Sequence, residues 1–301
     1  ETMLFLVDWY KKNAVGAGVG FFQIGGGTAG LEAACTAAEV GCNTFLLEEK
    51  ETLGGLAAEI SKIPAKKRLA DFPHYLEHRA AGLDNLYILT GTQATPENIR
   101  KFHPNLIVNA TGSGPLLPPI NGLMDNIDKE GGNVYSILGM ISHINDFPQD
   151  LEGKKIAVIG GGAVGLDVVE FFAARKADIS IVEMMDQIGR DLDPVTKNDT
   201  KCMMKSHDVH QLTKTALLEV KADSFLVKGS EGEYELPFDY GFVCLGMRAK
   251  GQLYSQLLEA FSDDDVEVIN IGDSQRARRI IDGTMEGRNI LYHLTQRGYL
   301  D

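Results

Sequence analysis

The chain has 301 residues, 44% of them apolar, and a formal net charge of −13 from 29 Lys plus Arg against 42 Asp plus Glu. That length suits two domains of ordinary size, with apolar residues enough for their cores. The acidic balance argues against nucleic acid or an anionic membrane surface as a partner, and no apolar run reaches the roughly 18 residues of a membrane span.

The chain opens at Glu1, with no basic-then-apolar signal segment and no initiator Met, as an excised or processed piece would. MLFLVDWYKK, with Trp9 and Tyr10, is expected to form a lead-in helix within residues 1–14 that packs on the body. Val19, Phe21, Phe22 and Ile24 then form a short, nearly continuous apolar run, as a strand buried on both faces would. Gly25, Gly27 and Gly30 follow in G-x-G-x-x-G spacing. LEAACTAAEVG, rich in Ala, predicts a helix ending near Gly41, and NTFLLEE predicts a second strand.

Strand, tight turn, helix and strand within about thirty residues form a dinucleotide-binding unit. The first glycine permits the turn, the second lets backbone approach a pyrophosphate, and the third lets helix pack closely on strand. The helix N-terminus offers N–H groups and a positive dipole end to the phosphates. Glu48, 23 residues after Gly25, closes the second strand where a carboxylate would accept ribose hydroxyls.

Residues 155–183 repeat the pattern. KIAVI leads to Gly160, Gly162 and Gly165, then to helix LDVVEFFAARKA and strand DISIVE. Glu183 again sits 23 residues after the first glycine of its turn. A lone G-x-G-x-x-G is a weak signal; two complete units with matching acids predict that the chain binds two dinucleotides. A carboxylate at Glu183 would pair with the ribose hydroxyls of NAD and repel the 2′-phosphate of NADP. Arg190 is the first arginine after it, so NADH is expected over NADPH.

None of Cys35, Cys42, Cys202 and Cys244 forms a C-x-x-C pair. No dithiol redox motif and no cysteine spacing for zinc or iron–sulfur is visible. They read as free thiols in a reducing, cytoplasmic compartment. No metal site is expected. The aspartates of FSDDDVEV read as a solvated turn, and His207 and His210 as surface residues sharing a helix face. GSEGEYELPFDYG reads as a turn between two strands.

The order of these units resembles the two-dinucleotide-binding, glutathione-reductase-like flavoproteins. The likeness is nearest to the C-terminal FAD/NAD(P) portion of the enoate reductase, dienoyl-CoA reductase and trimethylamine dehydrogenase family. Further stretches support it: EEKETLGGLAAEISKIPAKKRLADFPHYLEH, NLIVNATGSGPLLPPING, FVCLGMRA and VEVINIGDSQRARRIIDGTMEGRNI. The resemblance implies an α/β fold of two Rossmann-like dinucleotide-binding domains, the NAD domain inserted in the FAD domain. The FAD domain would span residues 15–117 and 252–301, and the NAD(P) domain 118–251. FAD would be held by Gly25, Gly27, Gly30, Glu48, Gly54, Gly55, Ala110, Thr111, Gly112, Gly272 and Asp273. NAD would be held by Gly160, Gly162, Gly165, Glu183 and Gly246. Cys244–Ala249 would form the exit strand of the NAD domain, and a helix following Asp273 would aim its N-terminus at the flavin. Val169 stands where a small residue is usual and would push the second helix slightly off its strand. Residues 1–30 also resemble a segment of deoxyhypusine-synthase-like proteins.

The resemblance implies a flavoprotein oxidoreductase active in electron transfer, with FAD and NAD(H) as cofactors. Hydride would pass from NADH to FAD, and electrons on to an acceptor domain, a partner protein or a small acceptor. The cofactors carry that chemistry, so no side chain is assigned as catalytic. A homo-oligomer is compatible with this reading, and neither nucleic acid nor membrane is an expected partner. Two alternatives remain open: a non-catalytic, FAD- or ADP-binding structural module of a larger flavoprotein, and a deoxyhypusine-synthase-like transferase.

Overall fold

The computed structural model describes residues 19–299; the expected helix within residues 1–14 lies outside the described residues. In chain order the first arm contains β1 (Gly20–Ile24), α1 (Thr28–Glu39), β2 (Asn43–Leu47), α2 (Gly55–Ile60) and a 3-10 turn (Pro64–Ala70). It continues through α3 (Asp71–Ala81), β3 (Leu86–Leu89), α4 (Pro96–Arg100), β4 (Leu106–Asn109) and β5 (Ser113–Pro115). The middle of the chain supplies α5 (Leu123–Asn126), β6 (Val134–Tyr135), α6 (Ile137–Ser142), β7 (Lys155–Ile159), α7 (Ala163–Ala173) and β8 (Asp178–Val182). After these come α8 (Pro194–Ser206), β9 (His210–Leu212), β10 (Ala216–Val220), β11 (Ser224–Gly229), β12 (Gly232–Pro237) and β13 (Tyr240–Val243). The returning arm contains β14 (Met247–Ala249), α9 (Gln252–Ala260), β15 (Glu267–Asn270), a 3-10 turn (Gly272–Ser274), α10 (Ile280–Arg288) and α11 (Ile290–Gln296).

The chain divides into two compact units. One takes the described residues through Ser61, then 66–114 and 248 onward; the other takes 62–65 and 115–247.

The first unit is built on a parallel sheet of order β15-β4-β1-β2-β3. Every residue of β1 is buried, because both faces are covered, as in other parallel sheets. Phe22 and Ile24 pack with Phe45, Leu89 and Phe102 on one face. Phe21 packs with Ala33 and Ala37 of α1 and with Leu106 and Val108 on the other. This alternation is the period of two that a strand imposes on its side chains.

Small residues let α1 lie close to its neighbours. A Cβ on Gly287 of α10 would come 2.6 Å from the Ala29 carbonyl oxygen. Glu32 of α1, buried between them, pairs with Arg79 of α3 at 3.0 Å and with Arg288 of α10 at 3.2 Å. Arg79 also grips Glu39 at 2.6 Å, and that hydrogen bond holds the Glu39 carboxyl below its ordinary range.

The second unit repeats the arrangement with a parallel sheet of order β6-β13-β7-β8-β9. Phe147, Phe172 and Phe242 pack edge to face and tilted on one side of it. An antiparallel meander, β10-β11-β12, completes the unit. The turn within GSEGEYELPFDYG lies at Ser230 and Glu231, between the paired Gly229 and Gly232.

Two expectations need correction. The strand predicted over Cys244–Ala249 is broken: β13 ends at Val243, and Gly246, at φ +103°, turns the chain before β14. His207 and His210 do not share a helix face, because α8 ends at Ser206 and His210 lies in β9, 3.3 Å from Asp178.

Candidate functional site

In the first unit the chain leaves β1 through Gly25, whose φ is +94°. A Cβ there would come 2.3 Å from the Ala110 carbonyl oxygen, so only glycine fits. Gly25 N–H donates to Leu47 O at 2.8 Å, which continues the β1–β2 ladder into the turn. Gly30 lies over the same turn: a Cβ on it would come 1.8 Å from Gly25 O. Its missing side chain is what lets α1 sit down on β1.

Glu48, 8% exposed, stands at the end of β2. Its Oε2 accepts the Gly26 N–H at 2.7 Å and its Oε1 accepts the Lys50 N–H at 2.9 Å. The acid is thus fixed to the glycine turn by a direct hydrogen bond, and each carboxylate oxygen keeps a further lone pair for a ribose hydroxyl.

The second unit reproduces this geometry closely. Gly160, at φ +107°, leaves β7, and a Cβ on it would come 2.2 Å from Cys244 O. Its N–H donates to Val182 O at 2.8 Å. A Cβ on Gly165 would come 1.9 Å from Gly160 O. Glu183 Oε2 accepts the Gly161 N–H, and its Oε1 the Met185 N–H, both at 2.8 Å. Val169 is fully buried in α7, and helix and turn still approach as closely as in the first unit. The expected displacement of this helix by the valine is therefore not found.

Both turns suit an anionic ligand. The N-caps Gly27 and Gly162 carry no side chain to take up the first N–H groups of α1 and α7, and neither first turn contains an acid. Space lies open where their side chains would be: the nearest atom to a Cβ on Gly27 is 3.9 Å away, and none lies within 4 Å of one on Gly162. In each sheet the turn stands at the point where strand order reverses, between β1 and β4 and between β7 and β13. Open α/β sheets bind ligands at that position.

Other predicted residues of the first unit gather round its turn. Gly54 and Gly55, at φ +94° and +55°, lie against it. Gly54 N–H donates to Gly26 O at 2.8 Å, and a Cβ on Gly55 would come 2.9 Å from Gly27 Cα. Ala110, Thr111 and Gly112 follow β4, Ala110 N–H donating to Ile24 O at 2.8 Å. Gly112 O accepts the Lys250 N–H at 3.0 Å, and Thr111 Oγ1 donates to Lys250 O at 3.2 Å. Gly272 and Asp273 follow β15 in the short 3-10 turn. Gly272 N–H donates to Glu286 Oε2 at 2.7 Å. Asp273 accepts the Arg278 N–H at 3.0 Å and the Ser113 hydroxyl at 3.1 Å. The helix expected after Asp273 begins at Ile280. In the second unit Gly246 O accepts the Leu116 N–H at 2.9 Å.

Gly26, Gly161, Ser113 and Glu286 escape the sequence reading. The first two occupy the variable position between the fingerprint glycines, where the pattern asks for no particular residue. The offset from turn to acid was their signal, because it places the carboxylate beside that N–H. Ser113 and Glu286 meet Gly272 and Asp273 only through the fold.

The cysteines are all free. Burial pushes the Cys35 and Cys42 thiols up to about 11 and raises Cys244 further, so these three stay protonated and unreactive at neutral pH. Among the described residues, no helix is long and apolar enough to cross a membrane.

The profile of a family described as pyridine nucleotide-disulphide oxidoreductase matches residues 23–271. The chain is 29% identical over 274 residues to NADH oxidase of Thermoanaerobacter brockii, covering 90% of this chain and 40% of that protein. It is 30% identical over 265 residues to bilirubin reductase of Mediterraneibacter gnavus, covering 88% and 39%. The chain thus spans about two fifths of the length of these curated relatives. Among solved structures, a 2-naphthoyl-CoA reductase superposes with a TM-score of 0.78 at 21% identity, over 91% of this chain and 40% of that one. Thioredoxin reductase of T. acidophilum superposes with a TM-score of 0.68 at 17% identity, over 92% and 98%. The fold is that of FAD/NAD(P)-binding reductases. The likeness of residues 1–30 to deoxyhypusine-synthase-like proteins has no counterpart among these matches.

Proposed function

The chain belongs to the pyridine nucleotide-disulphide oxidoreductase family, whose members depend on FAD and NAD(P)H, and from that premise we propose that it is the flavin-reducing module of a larger electron-transfer system. The first unit holds FAD, the second holds NADH, and electrons leave for an acceptor domain, a protein or a small molecule. The observation that carries this reading is the twice-built turn: two glycine cradles, each hydrogen-bonded to its own acid in the same way.

The flavin supplies hydride acceptance from a nicotinamide. The protein's residues bind and orient. The N–H groups at the starts of α1 and α7 meet the two pyrophosphates. Glu48 and Glu183 accept ribose hydroxyls with the lone pairs that the turns leave over. Gly54 and Gly55 bring bare backbone to the first cradle, and Ala110–Gly112 close it from β4. Asp273, held by Ser113 and by the Arg278 N–H, presents its carboxylate to the flavin's polar chain. FAD is assigned to the first unit because the Gly272–Asp273 turn after β15 sets a further carboxylate beside its cradle. Cys35, Cys42 and Cys244 are buried, high-pKa thiols and Cys202 is a lone exposed one, so they form no redox pair, and the acceptor is not a disulphide of the described chain.

The test is direct. Purified protein reconstituted with FAD should show oxidised-flavin bands that bleach on anaerobic addition of NADH. Bands that persist would favour a structural nucleotide-binding module; a protein that takes up no FAD would refute the flavin reading. Cofactor choice is tested at Glu183. Glu183→Gln keeps an acceptor for the Gly161 N–H but loses the charge that repels a 2′-phosphate. The ratio of NADH to NADPH reduction rates should fall by about tenfold, which is about 1.4 kcal/mol of discrimination. An unaltered ratio would contradict the placement of that acid.

A further inference from the structure

β4 reads Leu-Ile-Val-Asn and β15 reads Glu-Val-Ile-Asn. Both end on an asparagine, and the register sets Asn109 directly opposite Asn270. Asn109 is fully buried. Its Nδ2 donates to Asn270 Oδ1 at 2.8 Å, while its own Oδ1 has no hydrogen-bond partner among the described residues. The Ser274 hydroxyl, with one proton to donate, lies 2.7 Å from both Asn270 Oδ1 and Ile271 O and 3.2 Å from Asn109 O, and Asn270 Nδ2 donates to Ser274 O at 3.1 Å. Ser274 is 2% exposed.

This is a poor arrangement for stability alone. Asparagine is disfavoured in strands, and a buried amide oxygen without a partner is destabilising. A branched apolar residue at each position would continue the strand and fill the space. Local rules are broken in this way chiefly where something other than folding is served. What the pair does is geometric. Asn270 joins the end of β15 to Ser274 across the turn, the side chain and carbonyl of Asn109 tie that link to β4, and between Asn270 and Ser274 lie Ile271, Gly272 and Asp273.

We infer that Asn109, Asn270 and Ser274 are positioning residues for the flavin, fixing the Gly272–Asp273 turn so that Asp273 meets the cofactor in a single orientation. The inference rests on the assignment of FAD to the first unit. It assigns no bond to the flavin itself; the three residues act through Asp273 and the backbone of its turn.

The experiment compares the parent protein with Asn109→Val/Asn270→Val and, separately, with Ser274→Ala. Three quantities are measured: denaturant stability of the apo protein, the FAD dissociation constant from flavin fluorescence, and the visible circular dichroism of bound flavin. The double variant should be as stable as the parent or more so. It should bind FAD about tenfold more weakly and alter the flavin dichroism. Ser274→Ala should shift affinity and dichroism in the same direction. A double variant markedly less stable than the parent would assign the pair to folding and overturn the inference. So would parental affinity and dichroism in Ser274→Ala. A parent that takes up no FAD would instead remove the functional reading beneath it.

Discussion

Glu48→Ala is expected to strip FAD from the purified protein while leaving the chain folded. The side chain accepts two backbone N–H groups, those of Gly26 and Lys50. Alanine would leave both without that acceptor in a largely buried place, at about 1–3 kcal/mol for each group that water cannot reach. The ribose would also lose its carboxylate. Together these losses should weaken FAD binding by at least about 100-fold, read as flavin absorbance per protein after purification and as the dissociation constant on reconstitution. Glu48→Gln, which keeps one acceptor, should fall between. Parental flavin occupancy in Glu48→Ala would show that Glu48 is not the cofactor's acid.

Gly165→Val should separate the two halves of the reaction. A Cβ at Gly165 would come 1.9 Å from Gly160 O, a backbone atom that cannot rotate aside. Helix α7 must lift from β7 or the turn must open, and either movement destroys the second cradle. Overpacking of this kind costs about 1–3 kcal/mol at tolerant sites, and a backbone clash is less tolerant. Reduction of the flavin by NADH should slow by more than about 100-fold, followed in a stopped-flow spectrometer. FAD content should stay at the parental value, because the first cradle belongs to another sheet with its own core. Parental reduction rates would mean that the second glycine turn is not where NADH binds.

The two strand–turn–helix–strand units were legible in the sequence because local steric rules write them. A buried parallel strand must be apolar on both faces, and a helix seated on its own strand demands glycine at the crossing. Gly25, Gly30, Gly160 and Gly165 follow from that alone. The acids were legible as an offset, since chain length from turn to strand end fixes which residue arrives beside the cradle. What stayed hidden depends on distant parts of the chain. Ser113 meets Asp273 and Asn109 meets Asn270 only after β15 pairs with β4, across 160 and 161 residues of sequence, and Glu286 reaches back 14 residues to Gly272 only once α10 has folded. The break at Gly246 was visible as a glycine but not as a positive φ, because β13 and β14 together have the composition of one strand. His210 was misplaced because KSHDVH has no proline or glycine to mark where α8 stops.

The link between each acid and its own glycine turn bears on how a cofactor preference can change. If Glu183 reads the ribose, as proposed, while bracing the backbone, it answers to two constraints at once. Arginine at position 183 would carry the charge a 2′-phosphate wants, yet it would leave the Gly161 and Met185 amides without their acceptor. On the proposed reading, specificity would therefore be more freely rewritten from an exposed flanking position such as Met184 than from the acid itself. The same brace ties the turn by bonds internal to the protein, so much of the ordering entropy of binding a nucleotide there would already be met in folding.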